Sequence, residues 1–248
     1  MEVTNNLIKW VYSLSQKKNR DKEGCFVAEG TKCVMDTIGH FRLRYLFATG
    51  EWIETHDAGE AIVATRQQLD RMSMLKTPAD VIAVYEIPKS RISPEEFRGT
   101  LSIALDDVQD PGNLGTIIRI ADWFGIRSIV CSRSTVDAYN PKVVQATMGA
   151  ISRVRVEYCD LEQLFAANPD LPVYGTFLDG ADIYREELGS EGFILMGNEG
   201  KGISRSLEKH VGKRLLIPSY PAGVPTSESL NVGMATAIVV SEFRRRMI

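Results

Sequence analysis

Asn113 and Arg119 stand six positions apart in QDPGNLGTIIR, with Pro111, Gly112 and Gly115 crowded around the asparagine. The run follows the apolar stretch LSIALDDV and opens a helix-like one, so it reads as a turn at the end of a buried strand. A helix beginning near Gly112 sets Asn113 and Arg119 about two turns apart, on roughly the same side. Glycines at such a turn admit another backbone or a ligand at close range, where a ligand can meet a fixed positive charge. The same residues also fit a plain helix start with a surface arginine.

Two more loops follow apolar runs in the same way. In LMGNEGKGIS, Gly197, Gly200 and Gly202 surround Asn198 and Glu199. The order is not that of a nucleotide-triphosphate loop, and no G-x-G-x-x-G follows a strand anywhere in the chain. The loop therefore suits a small ligand or its own returning chain. In LIPSYPAGVPTSESLNVGMATAIVVSEFRRR, a strand ends at Ile217–Pro218 and an apolar helix is expected from near Ser227. Ser227 or Ser229 is positioned to cap it, with Glu228 near its positive end. Gly233, Ala235 and Ala237 make that helix narrow enough to pack closely on another.

Strands must present these loops together. LSIALDDV, SIVCS, VYGTFL, FILMG and RLLIPS are near-continuous apolar runs, each expected to be followed by a turn and a helical stretch. That alternation predicts an α/β domain with a parallel sheet covered on both faces. Ligands of such sheets bind beyond the carboxyl ends of the strands, where all three loops lie. Upstream, NNLIKWVYSLSQ reads as a helix, CFVAEG, LRYLFAT, AIVAT and VIAVYEI as strands, and TKCVMDTI as a helix with Thr31 as its cap. Asp70–Lys76 is expected to be helical. PKSRISPEEFRGT, rich in proline and charge, reads as a linker. It divides the chain near Ser93 into residues 1–93 and 94–248.

Composition narrows the classes. The 248 residues are 44% hydrophobic and 25% charged, with a formal net charge of −3. This is an ordinary globular balance, with no global basic field, so a nucleic-acid partner must be met by local patches. Cys25, Cys33, Cys131 and Cys159 have no C-x-x-C spacing, which argues against a zinc site or a disulfide framework and for a reducing compartment. His40, His56 and His210 join no visible constellation. The N-terminus lacks the order of a secretion signal, and no apolar stretch approaches the roughly 20 residues that span a bilayer. A soluble, cytoplasmic protein without a membrane segment or bound metal is expected.

Taken in order, N-x-G-x-x-x-R, M-G-N-E-G-x-G and I-P … S-L-N-V resemble the three motifs of the SpoU family of RNA ribose methyltransferases. The resemblance covers Leu101 to the C-terminus, and DAYNPKVVQATMGA also looks like this family. FVAEGTKCVMD resembles its small N-terminal substrate-binding domain, itself similar to ribosomal RNA-binding proteins. The resemblance implies an α/β domain whose C-terminal segment threads a loop to form a trefoil knot, against the usual rule for chain connections. It implies a homodimer with the active site near the interface, a tRNA or rRNA substrate, and S-adenosyl-L-methionine bound in a bent form. By matching positions, Gly197, Ile217 and Leu230 hold that cofactor largely through backbone groups, with Thr176 nearby. Arg119 corresponds to the catalytic arginine, and Asn113, Glu199, Ser229 and Asn231 to residues that shape the pocket or position it. Many members carry serine where this chain has Gly233.

The implied reaction moves a methyl group to a ribose 2′-OH, a poor nucleophile that must be positioned and must lose its proton. A guanidinium stays protonated in proteins, so Arg119 is read as orienting the target phosphate and stabilising the developing alkoxide. Lys17, Lys18 and Arg20, on an expected loop, are candidate RNA contacts, as are Arg42, Arg44 and Arg244–Arg246; each cluster also fits plain solvated surface. Trp123 and Phe124 are expected in the core. Base methylation by the same fold and a non-catalytic RNA-binding factor are the alternatives to ribose methylation.

Overall fold

The computed structural model describes every residue except Met1, Ala58, Ser90, Arg91, Ala222, Pro225, Thr226 and Ile248, and only the backbone of Pro94. The chain divides into two compact units, Met1–Lys89 with Asp137–Arg153, and Ser90–Val136 with Val154–Ile248. A single cut near Ser93 therefore leaves out an excursion, Asp137–Arg153, that packs with the first unit.

In the first unit the order is α1 (Asn5–Ser13), α2 (Lys17–Glu23), β1 (Cys25–Glu29), α3 (Thr31–Thr37), β2 (Leu43–Ala48), α4 (Gly50–Thr55), β3 (Ile62–Val63), α5 (Arg66–Met72) and β4 (Val81–Glu86). The sheet runs β1-β4-β2-β3, with β4 antiparallel to β1 and β2, and β3 parallel to β2. One core cluster holds Phe26, Val34, Trp52 and Tyr85; another holds Val11, Leu14, Phe47, Leu69 and Val84. Val144 and Ile151 of the excursion join the first cluster, and the Tyr139 ring lies 4.7 Å from that of Phe26.

Several local expectations change here. Residues 17–23 form a helix rather than a loop, ended by Gly24 in the left-handed conformation at φ 62°. Arg20 on that helix is buried. Its Nε and Nη2 donate to Asp137 Oδ2 at 3.0 and 2.5 Å, and its Nη1 to the carbonyls of Leu14 and Ser15 at 2.8 and 2.9 Å. A buried guanidinium must have its donors filled, so Arg20 offers no charge to a phosphate. The helix expected at Asp70–Lys76 is α5, four residues earlier, started by a capping box in which Thr65 and Gln68 bond each other's backbone. Thr31 is the first residue of α3, not its cap; Gly30 holds the cap position, and the Thr31 hydroxyl accepts from Trp52 Nε1 at 2.9 Å.

The second unit contains β5 (Leu101–Leu105), α6 (Pro111–Trp123) and β6 (Ser128–Ser132). After α7 (Pro141–Thr147), which belongs to the excursion, it continues with β7 (Arg155–Cys159), α8 (Leu161–Ala166), β8 (Val173–Asp182), β9 (Gly192–Met196), α9 (Arg205–Glu208), β10 (Lys213–Leu216) and α10 (Val232–Arg245). The six strands run in the order β10-β8-β9-β5-β6-β7, and neighbours pair in parallel. β5 and β9 are buried along their whole length, as expected of strands covered on both faces. One expectation fails: β8 and β9 are joined without a helix.

α6 and α10 pack side by side in the same direction. Near their starts Gly233 lies against Thr116, and near their ends Arg244 donates from Nε to Phe124 O at 2.8 Å and from Nη2 to Gly125 O at 3.2 Å. A cation there satisfies carbonyls at the negative end of α6. Arg245 and Arg246 both donate to the buried Glu242 carboxylate, and Arg246 also reaches Ile183 O at 2.9 Å and Glu186 O. All three C-terminal arginines thus have internal partners. The guanidinium hydrogen bonds hold the Glu242 carboxyl at about 2, well below its ordinary 4.5. Because the folded value is depressed, this stabilisation is full above about pH 4.5 and is lost as pH falls through about 2. Glu242→Gln is expected to cost about 1.5–3 kcal/mol at neutral pH, the range for hydrogen bonds to charged groups. Its urea midpoint should converge with that of the parent protein as pH falls below 4.

Among the described residues no helix is long and apolar enough to cross a membrane.

Candidate active site

The parallel sheet brings the carboxyl ends of β5, β9, β8 and β10 to one edge, with β5 and β9 as direct neighbours. After β5, Asp110 caps α6 by accepting from Asn113 N–H at 2.8 Å, and Pro111 takes the first helical position. This fixes the helix start and with it the Asn113 side chain.

Asn113 is the centre of a three-loop chain of hydrogen bonds. Its Nδ2 donates to Glu199 Oε1 at 2.9 Å, and its Oδ1 accepts from Asn231 Nδ2 at 2.9 Å. Asn231 Oδ1 in turn accepts from the backbone N–H of Gly233 and Met234 at 3.0 and 3.3 Å. Asn231 therefore caps α10, and the helix begins at Val232 rather than near Ser227. Neither Ser227 nor Ser229 caps it; both are exposed. An amide suits the central place because it donates and accepts at once, here toward a carboxylate and toward another amide.

Arg119 lies outside this chain. Six residues at 100° each turn its side chain about 120° away from that of Asn113, so the two do not share a face. Arg119 is exposed and makes no hydrogen bond or ion pair among the described residues. The same periodicity explains Trp123. Leu114, Ile117, Ile118 and Ala121 form the buried face of α6, and Trp123, two residues past Ala121, points away and is 86% exposed. The expectation of a core tryptophan is thus overturned, while Phe124 is half-buried.

The second loop folds back on itself. A Cβ at Gly197 would stand 2.3 Å from Gly202 C and 2.4 Å from Ile203 N, so only glycine fits. Asn198 and Gly202 exchange backbone hydrogen bonds at 3.0 and 2.9 Å. Asn198 Oδ1 accepts from the N–H groups of Gly200 and Lys201, and its Nδ2 donates to Asp107 O at 2.7 Å. Asp107 is in the left-handed region at φ 58°, which Asp tolerates better than most residues. Its neighbour Asp106 accepts from Ser204 N–H through Oδ2 at 2.8 Å. Asn198, Asp106 and Asp107 thus clamp the second loop to the first and carry Glu199 to Asn113. The sequence marks Asn198 within its glycine loop but not its clamping role, and Asp106 and Asp107 carry only the weak signal of paired Asp residues at a strand end. Asn198→Ala is expected to lower catalytic turnover tenfold or more, with a smaller loss of stability, because Glu199 would no longer be held; steady-state kinetics beside a urea titration checks this.

The remaining residues lie around the same edge. Thr176 Oγ1, on β8, donates to Leu195 O at 3.4 Å and lies 3.8 Å from Met196 Sδ, at the end of β9. Ile217 directly follows β10 and is half-buried, and Leu230 is exposed beside Asn231. Gly197, Ile217 and Leu230 make no backbone hydrogen bond among the described residues. Free amide and carbonyl groups in the loops after β9 and β10 are available to a ligand, and these fit a cofactor gripped by backbone.

Residues 100–241 match the SpoU rRNA methylase family. The chain belongs to the SpoU family. Residues 5–83 of this SpoU protein match the MRM3-like substrate binding domain. It is 30% identical over 249 residues to a 23S rRNA guanosine-2′-O-methyltransferase of Bacillus subtilis, covering 97% of this chain and 96% of that one. An AdoMet-bound rRNA methyltransferase from Sinorhizobium meliloti superposes with a TM-score of 0.86 at 30% identity, covering 100% of this chain and 97% of the other. A TrmH-family structure from Porphyromonas gingivalis gives 0.87 at 37% identity, covering 99% and 100%. The departure from many SpoU members at Gly233 has a local reason: a Cβ there would stand 3.2 Å from both Asn231 Oδ1 and Thr116 Cγ2.

Proposed function

We propose that this SpoU protein transfers a methyl group from S-adenosyl-L-methionine to a ribose 2′-OH of RNA, with ribosomal RNA favoured over tRNA by the relatives named above. The Glu199–Asn113–Asn231 chain carries the reading, because it joins the three motifs at one sheet edge. Bound there, the cofactor supplies an electrophilic sulfonium methyl. The backbone groups of Gly197, Ile217 and Leu230 would hold it, beside Thr176. Glu199, Asn113 and Asn231 keep the start of α6 rigid, and with it the helix from which Arg119 projects. Arg119 stays cationic; it draws in the phosphate next to the target ribose and stabilises the oxygen as its proton leaves. Ser229, exposed next to Leu230, lines the same loop.

The active form is a homodimer through the second unit, and exposed Trp123 on α6 and Met234 on α10 support this. The C-terminal segment completes a trefoil knot, residues 1–93 serve as the RNA-binding part, with Lys18, exposed and unpaired among the described residues, available to phosphate and Lys17 reaching one by exchanging Asp21 for it, and the protein works in the cytoplasm.

The test is calorimetric titration with S-adenosyl-L-methionine, followed by mass-spectrometric mapping of the methyl group on RNA. Saturable binding and a 2′-O-methyl mark are expected. A methylated base nitrogen or no cofactor binding would replace this reading with one of the alternatives.

A further inference from the structure

α1 and α5 pack together in the first unit and leave a groove of about 240 Å³ lined by Ile8, Lys9, Tyr12 and Arg71. The floor is buried Ile8, and the Tyr12 ring is 54% exposed. Several cations of this unit face acids: Lys17 pairs with Asp21, Lys32 with Asp36, Arg42 with Glu86, and Arg66 with Glu51 and Asp80. Lys9 and Arg71 differ. Both are exposed and have no ion pair or hydrogen bond among the described residues.

Their helical neighbours explain why. One turn before or after Lys9 lie Asn5, Asn6, Tyr12 and Ser13, and one turn before Arg71 lie Gln67 and Gln68. None is a carboxylate. Two helices therefore aim uncompensated positive charge into one groove beside an open aromatic face. Phosphate satisfies two such cations, and a nucleobase satisfies an exposed ring. A base can reach that ring only when it is unpaired, since duplex RNA keeps its bases stacked inside and offers shape and backbone instead.

Resting on the RNA-methyltransferase reading, we propose that this groove binds one unpaired nucleotide of the RNA substrate, its phosphate between Lys9 and Arg71 and its base on Tyr12. The contact lies on the first unit, so it sets affinity and substrate choice rather than the methyl-transfer step.

The full chain is titrated with a fluorescent 12-nucleotide single-stranded RNA and with the same RNA annealed to its complement. Lys9→Ala with Arg71→Ala is expected to weaken single-strand binding at least tenfold at low salt. It should also reduce the slope of log K against log salt by about 0.7, the contribution of one neutralised phosphate on a single strand. Tyr12→Ala is expected to cost about 5- to 150-fold, whereas Tyr12→Phe keeps the ring and the affinity. All three side chains are exposed, and circular dichroism checks that the variants fold. Unchanged single-strand affinity and salt slope would overturn the proposal, as would an equal loss for the duplex. Cation-dependent binding of a polyglutamate peptide with RNA affinity untouched would also overturn it, assigning the groove to acidic protein segments. Methyl transfer to ribosomal RNA by the parent protein is measured in parallel. Its absence defeats the methyltransferase reading, while the RNA affinities still decide the groove.

Discussion

Arg119→Ala is expected to reduce methyl transfer by about 10²–10³-fold, the usual cost of removing one donor aimed at developing negative charge. Affinity for S-adenosyl-L-methionine and thermal stability should stay near those of the parent protein. The reason is geometric: the guanidinium is exposed and makes no internal hydrogen bond or ion pair among the described residues, so its loss leaves the fold untouched. Arg119→Lys keeps the charge but loses the planar fork, and an intermediate loss of about 10–10²-fold is expected. Single-turnover kinetics at saturating cofactor, with RNA binding measured separately, gives both numbers. Full turnover in both variants would remove Arg119 from the mechanism.

Gly197→Ala should be as damaging by a different route. The new methyl group would meet Gly202 C at 2.3 Å and Ile203 N at 2.4 Å. Both atoms are backbone and cannot swing aside as a flexible side chain can. The loop must open, breaking the Asn198–Gly202 pair and releasing Glu199 from Asn113. Overpacking of this kind costs about 1–3 kcal/mol, and turnover should fall more than 10²-fold with a clear loss of cofactor affinity. Gly200→Ala is the control three residues away. Its Cβ would meet only Asn198 Oδ1, at 3.7 Å, so near-normal activity is expected. Calorimetry and kinetics on the pair separate crowding at Gly197 from a general intolerance of the loop.

These two positions show what was legible before the fold was known. Motif order pointed to Gly197 and Arg119, and the apolar strand runs pointed to a parallel sheet; both are local patterns that survive in one dimension. Local reading failed where a partner distant in the chain decides the outcome. A cluster of cations around Arg20 reads as surface until Asp137, 117 residues away, is seen to neutralise it. Arg244 and Arg246 mislead in the same way until the carbonyls of Phe124 and Gly125, and of Ile183, are seen to take them. The α5 start was within reach, since Thr65 and Gln68 have capping-box spacing. The Asp137–Arg153 excursion was not, because only Phe26 and its neighbours reveal where Tyr139, Val144 and Ile151 belong.

By itself, then, the amino-acid order determined the strands, the three loops and the residue types that each loop offers, because hydrophobic period and glycine placement act over a few residues. The tertiary structure decided which of those residues meet. Parallel pairing of β5 with β9 sets two loops side by side, and the close packing of α10 on α6 through Gly233 and Thr116 brings in the third. Asn113 can bond Glu199 and Asn231 at once only because strands and helices far apart in the chain bury their apolar faces against each other.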